Sequence, residues 1–335
     1  MYDFKLFAFV IIVISYYFLG CDTLKAPEKI NNAFEILDDE AYKIFSSKAQ
    51  IEILDSGFIW TEGPLWLNKS NQLIFNDIPQ NKTFSWSEKS GTQVYLSPSG
   101  YTSEQQKEEG PGANGLLLNT DGELILCQHG DRRIAIMDSP VENPVSNFKT
   151  IIDTYKGLKF SSPNDAAISK SGNIYFTDPT YGLSSPDQQE TNFNGVYRYS
   201  SNGELTVIDS TLTRPNGIAF SPDEKYLYVA NSNPENAIWN RYEIAEETGL
   251  VSKKEVFYNA TENARNEKGL PDGLKVDDSG YVFATGPGGV WVFNPAGKVI
   301  AKIRTGQLTS NCAFGASQNT LYITADDYLM RATFK

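Results

Sequence analysis

Residues 163–178 read Pro163-Asn164-Asp165-Ala166-Ala167-Ile168-Ser169-Lys170-Ser171-Gly172-Asn173-Ile174-Tyr175-Phe176-Thr177-Asp178. A small amide opens the stretch, an apolar run follows, a glycine stands eight residues on, and a second β-rich run ends on an acid. Such a pattern is a hairpin. It recurs five more times, from Glu62 in Thr61-Glu62-Gly63-Pro64, Asn114 in Ala113-Asn114-Gly115, Asn216 in Pro215-Asn216-Gly217, Asp272 in Pro271-Asp272-Gly273 and Asn311 in Ser310-Asn311-Cys312. Consecutive markers are 52, 50, 52, 56 and 39 residues apart. That period belongs to repeat architectures, and room for four strands per unit predicts an all-β, six-bladed propeller over residues 46–335.

The first strand of every blade lines the central channel, so the six markers converge on one ring at one end of it. The second strands return to the same face, and residues fourteen or fifteen beyond the markers form a second ring: Asp77, His129, Asp178, Asn231 and Asp326. A polar pocket is expected there.

The remainder of the chain bounds its partners. A net charge of −12 argues against nucleic acid, whose phosphates demand clustered Lys and Arg. Residues 1–20 combine Lys5 with an apolar run from Leu6 to Leu19, too short to span a bilayer, and read as an export signal. Phe18-Leu19-Gly20-Cys21 resembles the bacterial lipobox, with Phe18 in place of the usual Leu. Cys21 is therefore the expected lipidation site of a cell-envelope lipoprotein, periplasmic or at the surface, touching membrane only through that lipid. Plain secretion and an uncleaved anchor are the alternatives. Residues 21–45 would form a tether, with a short helix between Asn32 and Ile44. Cys127 and Cys312 fall in non-adjacent blades and are expected to be buried thiols.

Glu62, Asn164, Asn216 and Asp272 bring two carboxylates and two amide carbonyls to one end of the channel. Oxygen donors in a flexible arrangement suit a hard cation, Ca²⁺ first and other divalent ions after it. A single His, and Cys residues without ligand spacing, argue against softer metals. Any one Asn-Gly is equally well a turn dipeptide, but Glu62 is a poor turn former.

The chain resembles the SMP-30/gluconolactonase/LRE-like family of calcium-dependent propeller lactonases, which is akin to paraoxonases and diisopropyl-fluorophosphatase. Thr61-Glu62-Gly63-Pro64-Leu65-Trp66, Gly112-Ala113-Asn114-Gly115-Leu116, Cys127-Gln128-His129-Gly130-Asp131-Arg132-Arg133, Ser162-Pro163-Asn164-Asp165, Tyr175 to Leu183, Arg214-Pro215-Asn216-Gly217 and Leu270-Pro271-Asp272-Gly273 carry the resemblance. It implies that Glu62, Asn164, Asn216 and Asp272 hold the ion, and that Asp272 also moves a proton. Animal members have an Arg two residues before the third-blade Asn, where this chain has Ser162.

Those features predict a calcium-dependent hydrolase that opens a small-molecule lactone, of a sugar acid by preference. The ion would polarise the carbonyl while Asp272 or His129 serves as acid and base. Asn114, Asp165, Asp178, Tyr181 and Asn311 are candidates for substrate contact. Thr180 to Thr191 and Asn231 to Asn240 read as selectivity loops, with Tyr181, Leu183 and Trp239 walling the pocket. An aryl-ester or phosphotriester hydrolase is the alternative chemistry; a non-catalytic glycan- or protein-binding propeller pinned by its ion is the alternative class.

Overall fold

In the computed structural model, residues 27–103 and 110–335 are described. Six antiparallel sheets follow one another in chain order, their inner strands being Thr61–Leu67, Ala113–Leu118, Ala166–Ile168, Pro215–Phe220, Leu274–Val276 and Thr309–Phe314. The eight-residue step after the marker ends in the expected turns. Gly122, Gly172 and Gly280 have φ of 80°, 81° and 85°, and Glu224 takes the same left-handed conformation at 57°.

The last blade closes the ring with a borrowed strand. Gln50–Ser56, which precedes the first blade, pairs with Tyr328–Thr333 and becomes the outer strand of blade six. Arg331 faces Glu52 across that ladder and its Nε donates to Glu52 Oε1 at 2.8 Å. Closure joins the last blade to the first and leaves only the short outer edge of each blade.

The expected tether takes another form. Glu28–Ile30 adds a fifth strand to blade six beside Gln50–Ser56, and Phe34–Ile36 adds a fifth to blade five beside Val299–Ile303. In place of a helix from Asn32 to Ile44 there is only a 3-10 turn, Asp39–Lys43, whose first amides are capped by Asp38. Ala33, Ala41 and Phe45 are buried against Phe334 and its neighbours, so burial of apolar surface holds the segment down from residue 28 onward. The export signal and Cys21 lie outside the described residues.

Apolar side chains fill the spaces between adjacent blades. Trp239, Trp291 and Phe293 interlock between blades four and five, with ring centroids 5.4–6.1 Å apart. Trp239 is thus core, 1% exposed, and does not wall the pocket. Asn231 to Asn240 is no loop either: Tyr226–Asn233 and Asn236–Ile244 pair through Asn233↔Asn236 as one long, tight hairpin. Cys127 and Cys312 are free and buried, as expected.

Four markers, Glu62, Asn114, Asn216 and Asn311, lie inside bulged strands, while Asn164 and Asp272 stand two residues before theirs. Register breaks at Glu62/Leu65, Ala113/Leu116, Pro215/Ile218 and Thr309/Asn311, and a bulge is the kind of irregularity that turns a side chain out of the ladder's alternation. The glycine after a marker serves close approach. A Cβ on Gly63 (φ 54°) would lie 1.9 Å from the Asn114 carbonyl oxygen, and one on Gly217 would lie 2.2 Å from that of Asp272.

Hydrogen bonds between successive blades complete a circle at this level. Asn76 Nδ2 donates to Asn114 O (2.6 Å), Gly115 N to Asn164 O (2.7 Å) and Thr177 Oγ1 to Asn216 O (2.8 Å). Ser232 Oγ donates to Pro271 O, Gly273 N to Ser310 O (2.7 Å) and Ser310 Oγ to Thr61 O (2.6 Å). Each bond fixes the backbone of one marker segment to the blade beside it, so the ring of markers is held as a unit.

Candidate active site

A cavity of about 920 Å³ opens at the marker end of the channel. Glu62, Asn164, Asn216 and Asp272 form its floor, so the structure brings the four proposed ion ligands together. Asn114, His129 and Tyr181 line it as well. Glu62, Asn164 and Asn216 are buried, whereas Asp272 remains partly open to the cavity.

The floor and the layer behind it are rich in unpaired oxygen. Asn114 Oδ1, Asn164 Oδ1, Asp165 Oδ2 and Asp272 Oδ1 are buried without a hydrogen-bond donor, a condition that costs free energy unless something positive meets them. The carboxyl groups feel one another. Burial pushes Glu62 up to about 7, with Asp165 adding repulsion, and burial together with Glu62 and Asp165 raises Asp272 well above the usual carboxylate range. Asp165 is raised by burial too. A group of at least three His, Cys, Asp or Glu arranged around one ion does not occur among the described residues. The donor set is mixed, two carboxylates and two amides, and its chemistry fits a hard divalent cation.

His129 is 3% exposed and its Nε2 has no partner. Burial lowers its pKa to about 4, so the imidazole is neutral at neutral pH. Tyr181 is 43% exposed as a residue, but its hydroxyl end reaches Ser232 and Asn216, and burial near Asp272 pushes it up to about 12. Ser232 is itself a lining residue and accepts from Asn216 Nδ2 at 3.0 Å, which fixes the amide's orientation.

Three expected substrate contacts face elsewhere. Asp178 is fully buried, with its carboxylate accepting from Ser161 N at 2.9 Å and Ser162 N at 2.7 Å, and so clamps the loop that delivers Asn164. The same clamp recurs around the second ring: Asp77 accepts from Ile59 and Trp60, Asn231 from Arg214, and Asp326 from Leu308. His129 alone in that ring reaches the cavity. Asn311 lies beneath the floor, donating from Nδ2 to Glu62 Oε2 at 3.3 Å and accepting from Cys312 N. Asp165 is buried behind Asn164, its Oδ1 taken by Ala166 N at 2.9 Å. Leu183 is not among the residues lining the cavity.

Lys275 escaped the sequence reading. Its Nζ donates to Leu274 O at 3.1 Å and approaches Asn311 Oδ1 at 3.5 Å, and its charge lowers the pKa of Glu62 and Asp165. The available signal was alternation: Leu274 and Val276 pack into the core shared with blade four, which turns the residue between them toward blade six.

Comparison with known proteins agrees with this fold. The model of the SMP-30/Gluconolactonase/LRE-like region matches residues 60–327. A gluconolactonase of Zymomonas mobilis is 38% identical over 305 residues, covering 87% of this chain and 83% of that protein. A gluconolactonase structure from Xanthomonas campestris superposes with a TM-score of 0.80 at 26% identity, over 93% of this chain and 98% of that one. The calcium-binding regucalcin of Agrobacterium tumefaciens shares the fold, with a TM-score of 0.65 at 19% identity over 84% and 94% of the two chains. With a family model matched from blade one to blade six, the chain belongs to the SMP-30/gluconolactonase/LRE-like family.

Proposed function

We propose that this cavity is the active site of a calcium-dependent lactonase acting on sugar-acid lactones. Lactone hydrolysis is supported by the family and by the similarity to gluconolactonases over most of the chain. The observation that carries the metal reading is the convergence of donorless oxygens from Asn164 and Asp272 with the Glu62 carboxylate on one floor.

Glu62, Asn164, Asn216 and Asp272 would hold the ion. Bound there, a Ca²⁺ ion supplies a Lewis acid for the lactone carbonyl and a counter-charge for the oxyanion. The chain's own groups do the rest. Asp272 is the most exposed of the four, and, kept ionised beside the cation, its carboxylate would take the proton of the attacking water and return it to the leaving alkoxide. His129, neutral and a weaker base at about 4, holds the water or a substrate hydroxyl through Nε2. Asn114 and Tyr181 meet the ring hydroxyls from the walls.

Proton release from aldonolactones, aliphatic lactones, aryl esters and phosphotriesters, with Ca²⁺ and then with chelator, tests the reading. Chelator-sensitive lactone turnover is expected, lost in Asp272→Asn while Ca²⁺ still binds. Turnover confined to phosphotriesters, or Ca²⁺ binding without turnover, would overturn it. The N-terminal lipoprotein reading is proposed on the sequence alone. Its check is incorporation of labelled palmitate that Cys21→Ser abolishes.

A further inference from the structure

We propose that the preferred lactone carries a second, anionic group, a phosphate or carboxylate remote from the ring carbonyl, which Arg214 and Lys268 receive at the cavity mouth. The inference rests on the lactonase reading and deepens it.

Charge around the cavity supports this assignment. Glu62 and Asp272 on the floor and Asp165 behind it would be met by Lys275 and by the divalent cation proposed above, which leaves that end of the cavity close to neutral. On the wall, Glu267 is already answered by Arg304, through Nη1 to Oε2, and by Lys302 Nζ at 3.7 Å from Oε1. Arg214 and Lys268 also line the cavity, both exposed, and neither has a carboxylate partner among the described residues. Arg214 and Lys268 thus bring two unanswered positive charges to the cavity of a chain whose net charge is −12.

Their backbones are fixed. Arg214 N donates to Asn231 Oδ1 at 2.9 Å and Arg214 O accepts from Ser232 N at 2.9 Å, two residues before the ion ligand Asn216. Lys268 O accepts from Gly288 N at 2.7 Å. Arg214 and Tyr181 line the same cavity, and the guanidinium's charge lowers the pKa of the Tyr181 phenol. A neutral aldonolactone gives these groups only hydroxyls, whereas an anionic substituent gives charge-assisted hydrogen bonds, with Arg able to grip two oxygens at once.

The experiment compares kcat/KM for glucono-1,5-lactone, 6-phosphoglucono-1,5-lactone and glucaro-1,4-lactone in the wild type, Arg214→Gln, Lys268→Gln and the double variant. In the wild type the anionic lactones are favoured, chiefly through KM, and the advantage shrinks with salt. Each single variant lowers the anionic-to-neutral ratio about tenfold, the worth of one charge-assisted hydrogen bond. The phosphate and carboxylate arms separate the two anion types. A wild type that favours the neutral lactone, or ratios unmoved in the double variant, would overturn the proposal. If no lactone is turned over, the lactonase reading falls by itself. Titration with glucitol 6-phosphate against glucitol then decides: preference lost in the double variant supports the cationic mouth, and equal binding refutes it.

Discussion

His129 is the only histidine in the chain, which makes its protonation separable from every other group. Burial moves it from the ordinary 6.5 to about 4. Between those values the unfolded chain binds a proton that the folded chain refuses, so the imidazole's contribution to stability is complete above pH 6.5 and lost as pH falls toward 4. Two and a half pK units correspond to about 3 kcal/mol in full, of which about 1.4 kcal/mol is lost by pH 5.5 and about 2 kcal/mol by pH 5. His129→Gln removes this term and leaves Glu62, Asp165 and Asp272 in place. Urea unfolding of both proteins in chelator at pH 7.5, 6.5, 5.5 and 5 should therefore give stability curves that run parallel above pH 7. Below it they should converge by those amounts, the wild type losing the more. Curves offset by a constant over the whole range would show that the imidazole titrates normally and reaches water, and the neutral, hydrogen-bonding role for Nε2 would go with it.

Asp178→Asn should cost about 2 kcal/mol, because one of the amides of Ser161 and Ser162 is left facing an amide nitrogen, and should weaken Ca²⁺ binding by loosening the approach to Asn164. An unchanged urea midpoint would mean that the carboxylate is no clamp. Gly217→Ala places a methyl 2.2 Å from the Asp272 carbonyl oxygen and should lower stability by about 2 kcal/mol with a loss of activity, read by thermal melts and lactone turnover; a wild-type melt would contradict the close packing of blades four and five. Ca²⁺ at a hundredfold excess over its Kd should stabilise the protein by about 2.7 kcal/mol, and Glu62→Gln should suppress the rise in melting temperature; a melt indifferent to Ca²⁺ and chelator would remove the ion from this floor.

The repeat is legible in the amino-acid order, and the propeller with its convergent markers is a consequence of the repeat. Marker, apolar run, left-handed residue and second run are local signals, each set by backbone conformations within a dozen residues, and the turns at Gly122, Gly172 and Gly280 fall where that reasoning puts them. Closure of six such units then forces Glu62, Asn164, Asn216 and Asp272 to one end of the channel, and the cavity floor contains all four. Which polar side chains face that cavity is settled by packing between blades. Asp178 and His129 hold nearly equivalent places after their markers, yet Asp178 turns back onto the amides of its own loop while His129 reaches the opening. Asn311 matches the other markers in sequence but is drawn under the floor by Glu62 and Lys275 from the two neighbouring blades. Residues 28–45, too polar and irregular to read as strands, become ordered because blades five and six offer them open outer edges. Side-chain direction at a bulge and the partner across a blade boundary depend on residues far away in the chain, and no local pattern encodes them.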